Sequence, residues 1–252
     1  MIPSKYEMQT RLMPSLMDIN TELNANGALA LFQDITSVHS EQMGVDNPVM
    51  ARRSNAYWAI SRSKIRFYSH PRIFDPMKLV TWPVKPRFVR FDRNYLIYSG
   101  DGEDRLIAEG CSEWVILDRD THGIRKLETT CYPEMDYCPD VTSLPPYTRF
   151  RADLGDEDYV YTKKILSSSI DASNHTNNVK YSEILLDALP VKFFRENRIR
   201  DFDIRFVSES REGDELRVYA RTDGNTATLA CRKENGTPVA EAYIVFIPIT
   251  SA

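Results

Sequence analysis

Apolar residues recur at helical spacing in two segments, one in each half of the chain. In "GALALFQDITSVHSEQMG" (27–44) they return every three or four positions, and Gly44 can end the helix. The second segment, "NNVKYSEILLDAL" (177–189), is followed by Pro190, which cannot continue a helix. The pattern therefore predicts one helix with an apolar face in each half.

Strand patterns surround both predicted helices. A short strand candidate opens each half, "KYEMQTRLM" (5–13) and "YVYTKKILSS" (159–168). Turn signals such as "SGDG", "TDGN" and "KENG" separate further candidates after each helix. These candidates are 56–68, 77–85, 88–98 and 105–118 in the first half, and 200–209, 214–222, 226–233 and 238–248 in the second. One helix followed by antiparallel strands predicts a curved sheet wrapped around a central helix.

The two halves also share short phrases in the same order. Ile-Arg-Phe occurs at 65–67 and again at 204–206, and in both places an Asp follows eight residues after the Phe. Downstream, 106–117 and 238–249 both pass through Ala-Glu into a β-branched and aromatic run. Two ordered echoes indicate an internal duplication.

A duplicated strand, helix and antiparallel sheet suggest an α+β tandem hotdog, in which each central helix is wrapped by a curved sheet. We expect an N-terminal hotdog over 1–130 and a C-terminal hotdog over 156–252. The segment between them, 131–155, is rich in Pro and acidic residues and predicts a linker. Hotdog folds commonly bind acyl thioesters, which is an association at the level of the fold.

Composition narrows the functional classes. The 252 residues carry a net charge of -4, which argues against wholesale binding of nucleic acid. No stretch approaches the roughly 20 apolar residues of a membrane span, and the N-terminal residues lack the order of a signal peptide. We therefore expect a cytoplasmic protein. The four cysteines have no C-x-x-C spacing, so reduced thiols are expected, with no metal and no cofactor.

One histidine lies just before the second predicted helix. His175 stands in a polar run, and Asn177 or Asn178 is expected to cap the helix. In one interpretation this run is only a helix start. In the other, His175 and a carboxylate such as Asp171 or Glu209 activate water beside the free N–H groups of the helix N-terminus.

Several segments resemble the acyl-acyl-carrier-protein thioesterases, the FatA/FatB-like plant enzymes and their stand-alone bacterial relatives. "HTNNVKY" resembles that family's His-x-Asn-Asn-x-x-Tyr element, and "SESREGDEL" resembles its glutamate-bearing strand. Together with the Trp-containing segments, the matching stretches are 56–67, 90–98, 111–127, 175–181 and 208–216.

The resemblance implies hydrolysis of acyl-carrier-protein thioesters to free fatty acids, with the catalytic residues in the second half. It implies that Asp171 orients the loop, that His175 is catalytic, and that Glu209 is a base on water or a nucleophile. The family Asn two positions before the His is replaced by Ser173, and Asn174 is a possible substitute. Ser210 stands where plant members have a Cys.

The same resemblance implies an acyl pocket shaped by the first half and an acidic acyl carrier protein as partner. Trp58, Phe32 and Met17 are candidates for the pocket wall, although aromatic and Met residues are commonly plain core. The candidate basic patch for the carrier protein comprises Arg52, Arg53, Lys85, Arg87, Arg90 and Arg93.

Other functions stay open from the sequence alone. A thioesterase acting on acyl-CoA and a non-catalytic acyl-binding hotdog protein are the main alternatives, and Ser173 favours the second. A hotdog dehydratase is disfavoured because no Pro-rich stretch follows His175. The duplicated fold already contains the pairing that single hotdogs obtain by dimerising, so we expect a monomer or a homodimer.

Overall fold

A single antiparallel sheet of ten strands organises residues 4–249, the part of the chain that the computed structural model describes. The first half contributes β1 (Tyr6–Arg11), β2 (Ala56–Phe67), β3 (Pro76–Pro83), β4 (Phe91–Ser99) and β5 (Leu106–Asp118). The second contributes β6 (Tyr159–Lys164), β7 (Asn197–Phe206), β8 (Glu215–Asp223), β9 (Thr226–Lys233) and β10 (Pro238–Pro248). Their order, β1-β3-β4-β5-β2-β7-β10-β9-β8-β6, is a mirrored repeat about the β2–β7 pair. The predicted tandem hotdog is confirmed.

The helices of the described range are α1 (Ala25–Gln42), α2 (Asn47–Ser54), α3 (Asn178–Leu186) and α4 (Val191–Glu196). Prediction and structure agree on α1 within two residues, and Gly44 beyond its end has a φ of 69°. The predicted helix over 177–189 is shorter than expected and is followed by α4 after Pro190. Sequence patterns missed α2 and α4, which are too short to develop a period. None of these helices is long and apolar enough to cross a membrane.

The two hotdogs meet along β2 and β7. Strand register pairs Ile65 with Phe202, and both side chains are fully buried. On the same seam, Arg62 Nε lies 2.9 Å from Asp203 Oδ1. Helices α1 and α3 pack against each other and against the sheet, within one continuous apolar core. The strand pairing therefore fixes residues of the first half relative to those of the second.

Residues 131–155 contain no helix or strand, yet they are held firmly to the sheet. Lys64 Nζ donates to the carbonyl of Pro146 at 2.8 Å, and the Thr148 amide donates to Asp203 Oδ2 at 2.6 Å. The guanidinium of Arg232 donates to the carbonyl of Leu154 at 2.8 Å. Such contacts explain why charged side chains are buried on this part of the sheet. The expected boundaries, 1–130, 131–155 and 156–252, stay a prediction.

Candidate active site

The loop before α3 has a tight fold that Asp171 shapes. The backbone N–H of Asp171 donates to the carbonyl of His175 at 2.9 Å, and the carbonyl of Asp171 accepts from the Asn174 amide at 3.0 Å. Asn174 has a φ of 62°, a left-handed conformation that Asn tolerates better than most residues. The Asp171 carboxylate accepts from the Ser173 amide at 2.8 Å. This turn sets the direction in which the His175 side chain leaves the loop.

A buried hydroxyl network ties this loop to the segment after β7. The Thr176 amide donates to the carbonyl of Ser210 at 2.9 Å, and the two hydroxyls lie 2.8 Å apart. The Ser210 amide donates to the Tyr181 hydroxyl at 2.8 Å. Because residues 176 and 210 are locked together, the residues before them, His175 and Glu209, become neighbours. Ser210 therefore acts as part of the framework and is fully buried.

His175 and Glu209 form a close pair at the edge of a cavity. The distance from His175 Nε2 to Glu209 Oε2 is 2.9 Å. Since a carboxylate only accepts hydrogen bonds, Nε2 carries the proton in this contact. The His175 side chain is 14% exposed and that of Glu209 is 42% exposed, so a carboxylate oriented by an imidazole faces solvent or ligand. Arg211 lies 3.3 Å from the same ring nitrogen and adds a positive charge.

The first half contributes two residues that the sequence reasoning missed. From β2, the Tyr57 hydroxyl lies 3.4 Å from Glu209 Oε1, a long contact, and 3.0 Å from His122 Nδ1. Burial and the charge of Glu209 raise the pKa of Tyr57 to about 12, so the phenol stays protonated near neutral pH. No local pattern marks these residues, because the β2–β7 pairing brings them together from distant segments.

Two adjoining spaces open beside this cluster. A cavity of about 430 Å³ is lined by His175 and Glu209, and by apolar side chains that include Trp58, Ile60 and Phe206. A cleft of about 500 Å³ lies next to it and shares His175 in its wall. Residues of α2 and the basic side chains Arg119 and Arg211 line this cleft. The pair thus stands between an apolar cavity and a basic cleft.

The N-terminus of α3 borders the cavity. Asn177 caps it, because its side-chain oxygen accepts from the Val179 amide at 2.9 Å, which confirms one of the two predicted caps. The Lys180 amide donates to the carbonyl of Asn177. Among the described residues, the Asn178 amide has no acceptor, and Asn178 lines the cavity. One backbone donor at the positive end of the helix is therefore available to a ligand.

The three predicted pocket residues have different positions. Trp58 lines the cavity at the His175–Glu209 pair, and its indole nitrogen donates to the carbonyl of Val45 at 2.8 Å. Phe32 is buried, stacks on Tyr95 with ring centroids 4.2 Å apart, and borders a narrow space of about 30 Å³ beside the cavity. Met17 packs against the core within the loop before α1 and is not among the residues that line the two spaces at His175, so its role as a pocket residue stays a prediction.

The predicted basic patch divides into three groups. Arg52 and Arg53 are exposed on α2, next to the cleft, and Lys85 and Arg87 are exposed between β3 and β4. Arg90 forms ion pairs with Asp92 and Glu113, at 2.8 and 2.9 Å. The prediction was wrong for Arg93, which is 6% exposed and donates to His39 and Thr81 inside the protein. Side chains alternate between the two faces of a strand, so Arg93 lies on the same buried face of β4 as Phe91 and Tyr95.

Residues that could hold a metal ion are not grouped in the described part of the chain. No three His, Cys, Asp or Glu side chains come together there with suitable geometry. The chemistry that the arrangement itself offers is acid-base: a carboxylate paired with an imidazole, beside a free backbone donor and an apolar space.

Solved structures and curated proteins resemble this chain over most of its length. An acyl-ACP thioesterase from Bacteroides thetaiotaomicron superposes with a TM-score of 0.87 at 22% identity, covering 97% of this chain and 98% of that one. The 12:0-ACP thioesterase from Umbellularia californica gives 0.85 at 14% identity, covering 98% of each chain. The chloroplastic oleoyl-acyl carrier protein thioesterase of Coriandrum sativum is 20% identical over 218 residues. That match covers 78% of this chain and 57% of the relative, so the chain spans just over half of the relative's length.

Family models account for both halves. Residues 3–134 match the model described as the acyl-ACP thioesterase N-terminal domain. Residues 157–246 match the acyl-ACP thioesterase C-terminal domain. Together the two models cover most of the sequence, in the order that the duplicated fold requires, and the chain belongs to the acyl-ACP thioesterase family.

Proposed function

We propose that the protein hydrolyses the thioester of an acyl-acyl carrier protein and releases a free fatty acid. The observation that carries this proposal is the 2.9 Å contact between His175 and Glu209 at the wall of an apolar cavity. Family membership supports the substrate class, because the matching domains are named for acyl-ACP thioesterases. The basic cleft beside the pair supports an entry route for an acidic carrier.

In the proposed mechanism, Glu209 accepts a proton from a water molecule in the cavity. The water oxygen bonds to the thioester carbonyl carbon, and the carbonyl π electrons move to its oxygen. The C=O bond re-forms as the C–S bond breaks, and the sulfur leaves and takes up the proton that Glu209 accepted. His175 orients Glu209 through Nε2 and stabilises its charge. The Asn178 amide donates to the carbonyl oxygen as negative charge develops on it. Asp171 holds the loop that presents His175.

The acyl chain is proposed to run from Glu209 toward Phe32. The cavity at the catalytic pair and the narrow space at Phe32 share Ile60 and Phe206 in their walls. The Phe32 ring occupies the room above Gly110, where an added Cβ would lie 2.2 Å from it. Phe32 therefore limits the depth of the slot, and we propose that it limits the preferred chain length.

The carrier protein is proposed to dock over α2 and the basic cleft. Arg52 and Arg53 are exposed beside the cleft, and Arg119 and Arg211 line it. Arginine side chains suit phosphate and carboxylate groups, because the guanidinium presents paired N–H donors. A monomer or homodimer is expected, since the β2–β7 contact already joins two hotdog units within one chain.

A panel of acyl-carrier-protein and acyl-CoA thioesters of several chain lengths tests this proposal. Wild type is compared with Glu209→Ala, His175→Ala and the control Glu212→Ala, which alters an exposed glutamate of the same segment. We expect turnover of carrier-protein substrates that the first two variants lose and the control keeps. Turnover of the acyl-CoA thioesters alone would favour acyl-CoA as the substrate class. Turnover that survives in Glu209→Ala would contradict the mechanism.

Ser173 supports one alternative, a protein that binds acyl groups without hydrolysing them. It occupies the position of the family Asn and is a shorter hydrogen-bonding group. A stable wild type that binds acyl thioesters and never turns over would support this alternative. Ser173→Asn is then the informative variant: the Asp171 contact is made by the backbone of residue 173, so the substitution leaves the loop intact.

A further inference from the structure

A second cavity lies between the C-terminal part of α1 and strands β2 to β5. Its volume is about 300 Å³, roughly twice that of a cavity of ~150 Å³ that holds benzene. Aromatic rings form much of its wall: Trp58, Phe91, Trp114 and Tyr132. Trp58 and Phe91 meet edge to face at 4.9 Å, which gives a firm apolar surface. Such a space suits an apolar molecule or chain segment.

Arg93 also lines this cavity and brings a positive charge to it. Its NH1 group donates to His39 Nδ1 at 3.0 Å and to Thr81 Oγ1 at 3.2 Å. Its NH2 group lies 3.9 Å from the sulfur of Met43. These partners are an imidazole nitrogen, a hydroxyl oxygen and a thioether sulfur, none of them an anion, and burial lowers the pKa of Arg93. They satisfy N–H donors of the guanidinium without neutralising its charge.

Among residues 4–249, the groups that act electrostatically on the Arg93 guanidinium are Tyr95 and Tyr132, and no carboxylate pairs with it. Two acidic residues do line the cavity, but both have other partners. Asp92 pairs with Arg90 at 2.8 Å, and Asp46 caps α2 by accepting from the Val49 amide at 3.1 Å. A buried cation without a counter-charge is costly, so an anionic ligand at this place would be favoured.

We propose that this cavity binds an aliphatic carboxylate, with its carboxylate on Arg93 and its chain against the aromatic wall. The cavity shares Trp58 with the cavity at His175. The carboxylate therefore has two possible sources: a free fatty acid, or the far end of an acyl substrate that carries a second carboxyl group. The first source is independent of the proposed hydrolysis, and the second rests on it.

Calorimetric titration with octanoate and with octanol tests the binding itself. We expect wild type to prefer octanoate by about ten-fold or more, because a charge-assisted hydrogen bond forms only with the carboxylate. Arg93→Met should lose this preference and keep its affinity for octanol. The control Arg149→Met, an exposed arginine in the segment between the two halves, should behave as wild type.

The proposal is overturned if wild type shows no preference for octanoate, or if Arg93→Met keeps it. Replacement of a buried charge by a side chain of similar volume is commonly neutral or stabilising, so Arg93→Met is expected to fold. Arg93→Lys provides a second variant. It retains the positive charge without the paired N–H donors of the guanidinium, and should bind octanoate more tightly than Arg93→Met does.

Hydrolysis of two carrier-protein thioesters of equal length, octanoyl and its ω-carboxy analogue, distinguishes the sources. A wild-type preference for the ω-carboxy substrate that Arg93→Met loses assigns the site to the end of the substrate. Equal turnover of both, with octanoate binding that depends on Arg93, assigns it to a free fatty acid. Such binding in a protein that hydrolyses neither thioester would support the site and contradict the proposed function.

Discussion

The loops before α1 and α3 have the same backbone fold and different chemistry. Each closes with an antiparallel bridge, begins with an Asp whose amide bonds across the turn at 2.9 Å, and reverses direction at a left-handed residue. An Asn at the end of each loop caps the following helix. The matched pairs are Asp18 and Asp171, Asn20 and Ser173, Thr21 and Asn174, Glu22 and His175, and Asn24 and Asn177.

The acid and the imidazole exchange places between the halves. In the first half the loop carries Glu22, and His70 occupies the position after β2 that Glu209 occupies after β7. Glu22 is buried and is held by both arms of Arg198, at 2.6 and 2.7 Å. Burial lowers the pKa of His70, which stacks on Phe67 at 5.1 Å. Both oxygens of the Glu22 carboxylate are therefore engaged by one guanidinium.

The difference does not lie in the room that each half offers. A cavity of about 520 Å³ borders the first loop, against about 430 Å³ at His175. What differs is the partner of the carboxylate: a bidentate guanidinium for Glu22, and an imidazole with a distant phenol for Glu209. The same loop frame therefore presents a carboxylate bound by a guanidinium in the first half, and an imidazole bound by a carboxylate in the second.

The largest expected effect is the difference in kcat between variants of His175 and His70. His175→Gln should lower kcat by about a hundred- to ten-thousand-fold, because Glu209 loses the group that orients it. His70→Gln should leave kcat within about three-fold, since that ring faces no available base. Steady-state kinetics on the best acyl-carrier-protein substrate measures both. Equal losses in the two variants would erase the proposed distinction between the halves.

A second prediction concerns stability in the first half. Arg198→Met leaves the Glu22 carboxylate buried without its cation, so the free energy of unfolding should fall by about 3 kcal/mol. The control Arg195→Met alters an exposed residue of α4 and should stay within about 0.5 kcal/mol. Urea denaturation followed by circular dichroism measures both. If Arg198→Met is as stable as its control, the ion pair is not what holds this loop.

Tyr57→Phe should moderately lower the rate of hydrolysis at the His175–Glu209 pair. Loss of a weak donor at 3.4 Å should lower kcat by about three- to ten-fold. The pKa of Tyr57 is raised to about 12, so the donor form persists across the working range and the pH profile should keep its shape through pH ~10. If the rate of the wild type falls below pH ~10 on the alkaline side, and this fall is absent in Tyr57→Phe, the phenol itself titrates during turnover and the prediction is contradicted.

The smallest effect is expected on selectivity for acyl chain length. Phe32→Leu removes part of the ring above Gly110, and should raise kcat/KM for longer acyl chains relative to shorter ones by a factor of about three. Phe88→Leu is the matched control, because Phe88 is 96% exposed between β3 and β4. An unchanged chain-length profile in Phe32→Leu would place the end of the acyl slot elsewhere.

Regular periodicity made most of the fold predictable. The strands fall within three residues of their predicted positions at nearly every end, because alternation and turn residues both mark them. The same alternation could have placed Arg93 correctly: it shares its parity with Phe91 and Tyr95, which are buried. That parity was a stronger signal than the charge of the side chain.

The site was predictable only where its residues are close in sequence. Asp171 and His175 belong to one turn, and Glu209 was found through the repeated Ile-Arg-Phe phrase and the family resemblance. Tyr57 and His122 reach the pair through strand register, which no local pattern reveals. The position of Met17 also depends on a contact that no local pattern reveals, an isolated bridge to Leu23 in the loop before α1.

The most direct test makes one chemical change in both halves. Single-turnover hydrolysis of an acyl-acyl carrier protein is measured for wild type, Glu209→Gln and Glu22→Gln, with folding verified for each. We predict that Glu209→Gln slows the chemical step by about a hundred-fold or more and that Glu22→Gln leaves it within about three-fold. A normal rate in Glu209→Gln, or an equal loss in Glu22→Gln, would contradict the assignment of the chemistry to the second half.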